Sequence, residues 1–88
     1  MAQLGADVEQ LDRLGAKFRE KATEISQMQS QISAQLTSTW WMGGDADRFR
    51  AQWDGDLKGQ LVKLKTLLET TATTVARQAA DQRTVSQA

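Results

Sequence analysis

The sequence contains no cysteine, no histidine and no proline in its 88 residues. Without cysteine it can form no disulfide and offers no thiolate as a nucleophile or a metal ligand. Without histidine it lacks the commonest general base and the commonest metal ligand of proteins. We therefore expect a protein that is not an enzyme, with no catalytic residue, no metal, no cofactor and no small-molecule substrate.

An excess of charge of either sign is also missing, because eleven Lys and Arg residues balance eleven Asp and Glu residues. A neutral chain is a poor ligand for nucleic acid, whose phosphates bind basic surfaces, and for anionic membranes. No apolar run reaches the roughly 18 residues of a membrane-spanning helix. The first ten residues contain neither a positive cluster nor an apolar block, so we expect no cleavable secretory signal peptide.

The absence of proline permits long uninterrupted helices, because proline disrupts helix interiors. Apolar residues recur at steps of three and four in two segments, between residues 4 and 36 and between residues 46 and 79. This spacing is typical of amphipathic helices. The sequence predicts a first helix over about residues 7–38, whose start resembles a capping pair of Asp7 and Gln10, and a second helix over about residues 45–80.

Residues 39–44 separate the two helices and end in the pair Gly43-Gly44, which permits a sharp turn with positive φ angles. Because a short turn makes neighbouring helices antiparallel, we expect an all-α helical hairpin that forms a single domain over residues 1–88. The polar, aperiodic residues 81–88 predict a flexible tail.

The packing between the two helices is expected to involve the large apolar residues of both segments. These are Phe18, Ile25, Ile32, Phe49, Trp53, Leu57, Leu61, Leu64 and Leu68. Small residues at Gly15 and Ala22 would let another helix come close. Gly55 and Gly59 share a face of the second helix and have two interpretations, as tolerated surface glycines or as a second close contact.

One hairpin has a single seam and buries little surface, which makes so small a domain marginally stable. Leu14, Met28 and Leu67 widen the apolar stripes beyond that seam. A second hairpin would cover them. The sequence therefore predicts a dimer in the form of a four-helix bundle.

Two adjacent tryptophans, Trp40 and Trp41, lie in the predicted turn. Adjacent residues of a turn cannot both point inward, so we expect one to pack across the end of the hairpin and the other to be exposed. An exposed indole is a common anchor in protein interfaces, while the simpler interpretation is that both rings cap the bundle. We take Trp40, Trp41 and Gly43 as candidate recognition residues, with Trp41 serving recognition more than stability.

The motif Trp41-Met42-Gly43 is followed by Ala46, Phe49 and Trp53 on the inner side of the next helix. In this pattern the chain resembles the WXG family, the ESAT-like small substrates of type VII (ESX) secretion. The resemblance covers essentially the whole chain, since it includes the length, the two long helices and the central turn.

The resemblance implies a homodimer, or a heterodimer with a sister protein of the family. It implies export of the folded dimer, as substrate, effector or escort, by a membrane complex with a secretion ATPase. Trp41 and Gly43 match the family's turn positions, which form half of a composite export signal. The other half is a Tyr-x-x-x-acid motif, and this chain has no tyrosine. Arg77 and Asp81 keep its spacing and its acid but lack the aromatic ring, and they predict a surface ion pair.

Three explanations of the missing tyrosine stay open: a partner supplies the motif, export follows another route, or the chain is not exported. The alternative function is an intracellular helical adaptor or chaperone that binds a partner helix. Detection of the folded protein in culture supernatant, dependent on the secretion ATPase, would separate the two functions.

Overall fold

The computed structural model describes residues 5–87, with the backbone alone at residues 86 and 87. Helix α1 spans Val8–Ser38, α2 spans Gly44–Gln52, a π-helical turn spans Trp53–Leu57, and α3 spans Lys58–Gln87. The last three follow one another without a break and form one long helix antiparallel to α1. The hairpin measures 66 × 20 × 18 Å. The predicted all-α helical hairpin is confirmed.

The two ends of α1 follow from local hydrogen bonds. The Asp7 carboxylate accepts a hydrogen bond from the backbone N–H of Gln10 at 3.0 Å, which confirms the predicted cap. At the other end, the Thr39 hydroxyl donates to the Gln35 carbonyl at 2.6 Å. Thr39 itself is extended, with φ −82° and ψ 125°, so the helix stops at Ser38 and the turn begins.

Helix α3 is longer than the sequence predicted. It continues to Gln87, so the prediction of a flexible tail is wrong for residues 81–87, while Ala88 lies outside the described residues. Two contacts account for the extension: Ala79 is fully buried, and Arg83 forms an ion pair with Asp12 of α1. No glycine or proline interrupts this polar stretch, so the helix continues once α1 supports it.

Small residues line the contact between α1 and α3, which we call the seam. Its buried members are Gly15 and Ala22 on α1 and Ala72 and Ala79 on α3. A Cβ atom built on Gly15 would lie only 3.6 Å from the Ala72 carbonyl oxygen, so the backbones approach closely. The predicted close approach at Gly15 and Ala22 is confirmed.

Close approach of the backbones moves the larger side chains to the edges of the seam. Of the residues expected to pack the hairpin, Ile25 and Trp53 are buried, whereas the others are only partly covered. Phe18, Leu57, Leu61 and Leu68 are half-buried, and Ile32, Phe49 and Leu64 are exposed.

Gly55 and Gly59 do not mark a second close contact. A Cβ atom built on either glycine would meet no other atom within 4 Å. The interpretation of these residues as tolerated surface glycines is therefore confirmed.

Candidate interaction surfaces

The turn between α1 and α2 is held by the guanidinium group of Arg50. Its Nη1 donates to the Trp41 carbonyl at 2.8 Å, and its Nη2 donates to the carbonyls of Thr39 at 3.1 Å and Leu36 at 3.4 Å. Leu36 lies in the last turn of α1, where carbonyls lack intrahelical partners. One side chain of α2 thus satisfies the end of α1 and fixes the path of the turn.

Sequence analysis missed Arg50, although a signal for it existed. Helix α1 has no basic residue in its own last turn to complement the negative end of its dipole. Arg48 and Arg50 are the first cations after Lys21, and a short turn brings both back toward that end of α1. Arg48 instead forms an ion pair with Asp45 of its own helix, so Arg50 alone serves the turn.

The two adjacent tryptophans have different environments, as predicted. The Trp41 ring lies 5.8 Å from the Phe49 ring, measured between centroids, and 5.9 Å from the Arg50 guanidinium carbon. This aromatic and cation–π packing leaves Trp41 38% exposed. Trp40 is 89% exposed, and Met42, on the other side of Trp41, is 76% exposed. The packed ring is therefore Trp41, and the free indole is Trp40.

Gly43 has the backbone geometry expected of it. Its φ of 116° and ψ of 178° lie in a region that residues with a Cβ atom rarely adopt. The space around it is open, with no atom within 4 Å of a Cβ built there, so the backbone angle alone favours glycine. The Gly43 carbonyl accepts from the Asp47 N–H at 3.0 Å and starts α2.

Trp53 closes the end of the seam below the turn. It is 6% exposed, and its indole N–H donates to the Ser33 hydroxyl oxygen at 3.0 Å. A pocket of about 240 Å³ lies beside this pair and extends to Lys58, whose ammonium lies 3.6 Å from the Asp54 carboxylate. The pocket is thus lined by an ion pair and by an indole whose N–H is already hydrogen-bonded.

A one-sided group of exposed apolar residues runs along the hairpin, and we call it the apolar face. Successive helix residues are about 100° apart, and the small seam residues mark the direction in which each helix faces the other. Measured from that direction around each helix axis, the exposed apolar residues of this group lie on the same side of the hairpin in both antiparallel helices. Its members are Leu14, Met28 and Ile32 on α1, and Leu64 and Leu67 on α3. Val62 is exposed on the opposite side.

Charged residues of α1 form a solvated surface. Lys17 pairs with Glu20 at 2.8 Å, and Lys21 pairs with Glu24 at 3.0 Å. The hydrogen bond from Lys17, with the charge of its ammonium, lowers the pKa of Glu20. The hydrogen bond to Glu24, with the charge of its carboxylate, raises the pKa of Lys21.

The predicted ion pair between Arg77 and Asp81 is wrong. Neither residue takes part in an ion pair within residues 5–87, and the cation that ties this part of α3 is Arg83, through Asp12. Arg83 thus connects the two helices, whereas an Arg77–Asp81 pair would have joined two residues of α3 only.

Two kinds of site are absent from the part of the chain that the structure describes. No three acidic side chains there come close enough together to hold a metal ion. No helix between residues 5 and 87 combines the length and the apolar content needed to cross a membrane.

No protein-family model, no curated protein and no solved structure matches this chain. The resemblance to the WXG family therefore depends on the residues of the turn and on the hairpin itself.

Proposed function

We propose that this chain is a WXG-like helical-hairpin protein that acts as a dimer and is exported in the folded state by a type VII secretion system. In this proposal its activity is recognition of other proteins and involves no chemical reaction. The observation that carries the proposal is the apolar face, which lies on one side of a hairpin whose turn is held by hydrogen bonds from Arg50.

The surface area of the hairpin supports dimerisation. A compact monomer of this mass exposes roughly 5,200 Å². The chain exposes 6783 Å². The excess of about 1,600 Å² is about twice the 800 Å² that each partner contributes to an interface of standard size. A second hairpin is a covering surface of matching length and apolar character, and it gives the four-helix bundle.

The position of the exposed residues also supports the dimer. A single seam of small residues leaves the apolar face without a partner, and hydrophobic residues gathered on one side of a monomer mark an interaction site. Ile32 and Leu64, which we expected in the hairpin contact, belong to that face. Burial in a dimer explains why large apolar residues stand at these two positions, which are exposed in the single hairpin.

The turn supports the export part of the proposal. Trp41 and Gly43 correspond to the WXG turn positions, and Arg50 donates hydrogen bonds to the carbonyls of Trp41 and Thr39 in this turn. The chain has no tyrosine, so in this proposal the Tyr-x-x-x-acid half of the signal comes from a sister subunit. A heterodimer with such a protein is the form that would be exported.

Dimerisation is tested by sedimentation equilibrium at micromolar concentration, alone and with candidate sister proteins. We expect the parent to form dimers and Leu67→Glu to weaken them by at least about tenfold, because a charge would be buried at the centre of the interface. Val62→Glu is the matched control, since Val62 is 49% exposed on the opposite side and Leu67 is 61% exposed. A parent that stays a cooperatively folded monomer in every mixture contradicts the dimer.

Export is tested in the source organism by comparing folded protein in the culture supernatant with and without its type VII ATPase. We expect the protein outside the cell only when the ATPase is present. Retention inside the cell in both strains, with the dimer intact, would favour the alternative of an intracellular adaptor.

A further inference from the structure

The long helix after the turn contains a π-helical turn, Trp53–Leu57, between α2 and α3. π-helical turns are rare and occur frequently at functional positions of α-helices. At the end of this one, the Lys58 N–H donates to the Trp53 carbonyl five residues earlier, whereas an α-helix would pair it with the residue four positions earlier. The backbone here therefore contains one residue more than an α-helical turn.

The buried residues of this long helix lie before and after the π-helical turn. Ala72 and Ala79 follow it and belong to the seam, and Ala46 and Trp53 are buried on its other side. Trp53 faces α1 as well, because its indole donates to Ser33. Ala46 is seven positions before Trp53, which is about two helical turns, so these two share one stripe of α2. Helices α2 and α3 thus direct their buried stripes toward the same side.

The spacing of these residues does not fit one continuous α-helix, in which successive residues are about 100° apart. Trp53 is nineteen positions before Ala72. That separation corresponds to about five full turns plus a further 100°, so an α-helix would direct the two side chains to different sides. Counted with one residue fewer, the separation is about five full turns. The surplus residue of the π-helical turn removes the difference.

We propose that the π-helical turn is a phase-correcting joint, whose surplus residue rotates α2 by about 100° and so directs the tip of the hairpin toward α1. The tip comprises the turn and α2 up to Trp53, residues 39–53. Without this rotation Trp53 would leave the seam, and Arg50 would turn away from the Leu36 carbonyl of α1. The inference concerns the packing of a single hairpin and does not depend on the proposed function.

Gly55 is the residue of this joint that can be removed without loss of packing. It is exposed, and a Cβ atom built on it would meet no atom within 4 Å. Its deletion would leave eighteen positions between Trp53 and Ala72, the number with which a continuous α-helix directs both toward α1. A further residue inserted at the same place would add a second rotation of about 100° that nothing compensates.

The test compares changes of chain length by urea unfolding of the full chain, followed by circular dichroism at one protein concentration. Deletion of Gly55 should leave the unfolding midpoint at or above that of the parent. Insertion of an alanine after Gly55 should lower the midpoint by about 1 M or more, because Trp53 loses its burial. Deletion of the exposed Gln27 is the control and should also lower it, since α1 is α-helical throughout and has no surplus residue.

Fluorescence reports the position of Trp53 directly. In a Trp40→Phe/Trp41→Phe background Trp53 is the only tryptophan of the chain. Deletion of Gly55 should keep the emission maximum of this background, because the indole stays buried. Insertion of alanine after Gly55 should shift the maximum to longer wavelength, because the indole becomes solvated.

Two results would overturn the inference. If deletion of Gly55 lowers the midpoint as far as the insertion does and exposes Trp53, the turn contains no surplus residue. If the insertion or the deletion of Gln27 leaves the midpoint unchanged, the hairpin does not depend on helical phase, and no correction is needed. Dimerisation and ATPase-dependent secretion are measured separately on the parent, so the proposed function can stand when the joint fails.

Discussion

The seam and the tip of this hairpin are built in opposite ways. At the seam, Gly15 and Ala72 let two backbones come close, and the contact has van der Waals character. At the tip, Arg50 and Trp53 make four directed hydrogen bonds to α1 and the turn. Close packing of small residues aligns two helices over a long distance but covers little side-chain area. Directed bonds fix a few backbone atoms in one place.

This difference explains where apolar surface stays exposed. The seam leaves the larger side chains of both helices at its edges, and those on one side form the apolar face. The tip is held by polar contacts and by the packed ring of Trp41, so Trp40 and Met42 are not needed for its structure. Both exposed surfaces are therefore available to partners, the first over the length of the hairpin and the second at one point.

The largest effect is expected where the two regions meet, at Trp53. Trp53→Ala removes a buried indole and should lower the free energy of unfolding by about 3–5 kcal/mol. Trp53→Phe keeps most of the ring but not the N–H that Ser33 accepts, and should cost less. Urea unfolding followed by circular dichroism measures both at one protein concentration, since dimerisation makes stability concentration-dependent. An alanine variant as stable as the parent would show that the tip is not part of the folded unit.

A change at the seam tests whether close approach holds the helices together. Ala72→Leu inserts a large side chain where the structure has 0% exposure, and overpacking of this kind costs about 1–3 kcal/mol. Ala80→Leu is the matched control, because Ala80 is exposed on the same helix. The same unfolding measurement applies. Equal stability of the two leucine variants would mean that the close approach of the helices contributes nothing to the free energy of unfolding.

The seam was largely predictable from sequence, and the tip only in part. Period and small residues are properties of single helices, so the hairpin and the close approach at Gly15 follow from local spacing. The bonds of Arg50 to the turn and of Trp53 to Ser33 join residues 9 to 20 positions apart, and only the actual path of the turn brings them together. Sequence patterns contain no information on that path beyond the positive φ expected at Gly43.

The extension of α3 and its π-helical turn were missed for related reasons. Residues 81–87 have little apolar periodicity of their own, and the ion pair of Arg83 with Asp12 of α1 joins residues 71 positions apart. The π-helical turn Trp53–Leu57 adds one residue to a helical turn beside Trp53, whose indole bonds to Ser33. The exposed Gly55 within it gives no sequence signal that distinguishes this turn from ordinary helix.

The smallest effect is expected at a glycine outside both regions. Gly59 lies in α3 with open space around it, so Gly59→Ala should raise the free energy of unfolding by about 1 kcal/mol through the helix propensity of alanine. Gly43 also has open space, but its φ of 116° makes Gly43→Ala destabilising by about 1–3 kcal/mol. The two substitutions add the same methyl group and should move the unfolding midpoint in opposite directions. If both stabilise the chain, the turn relaxes freely around Gly43, and the rigid tip on which the recognition of Trp40 depends is not a property of this molecule.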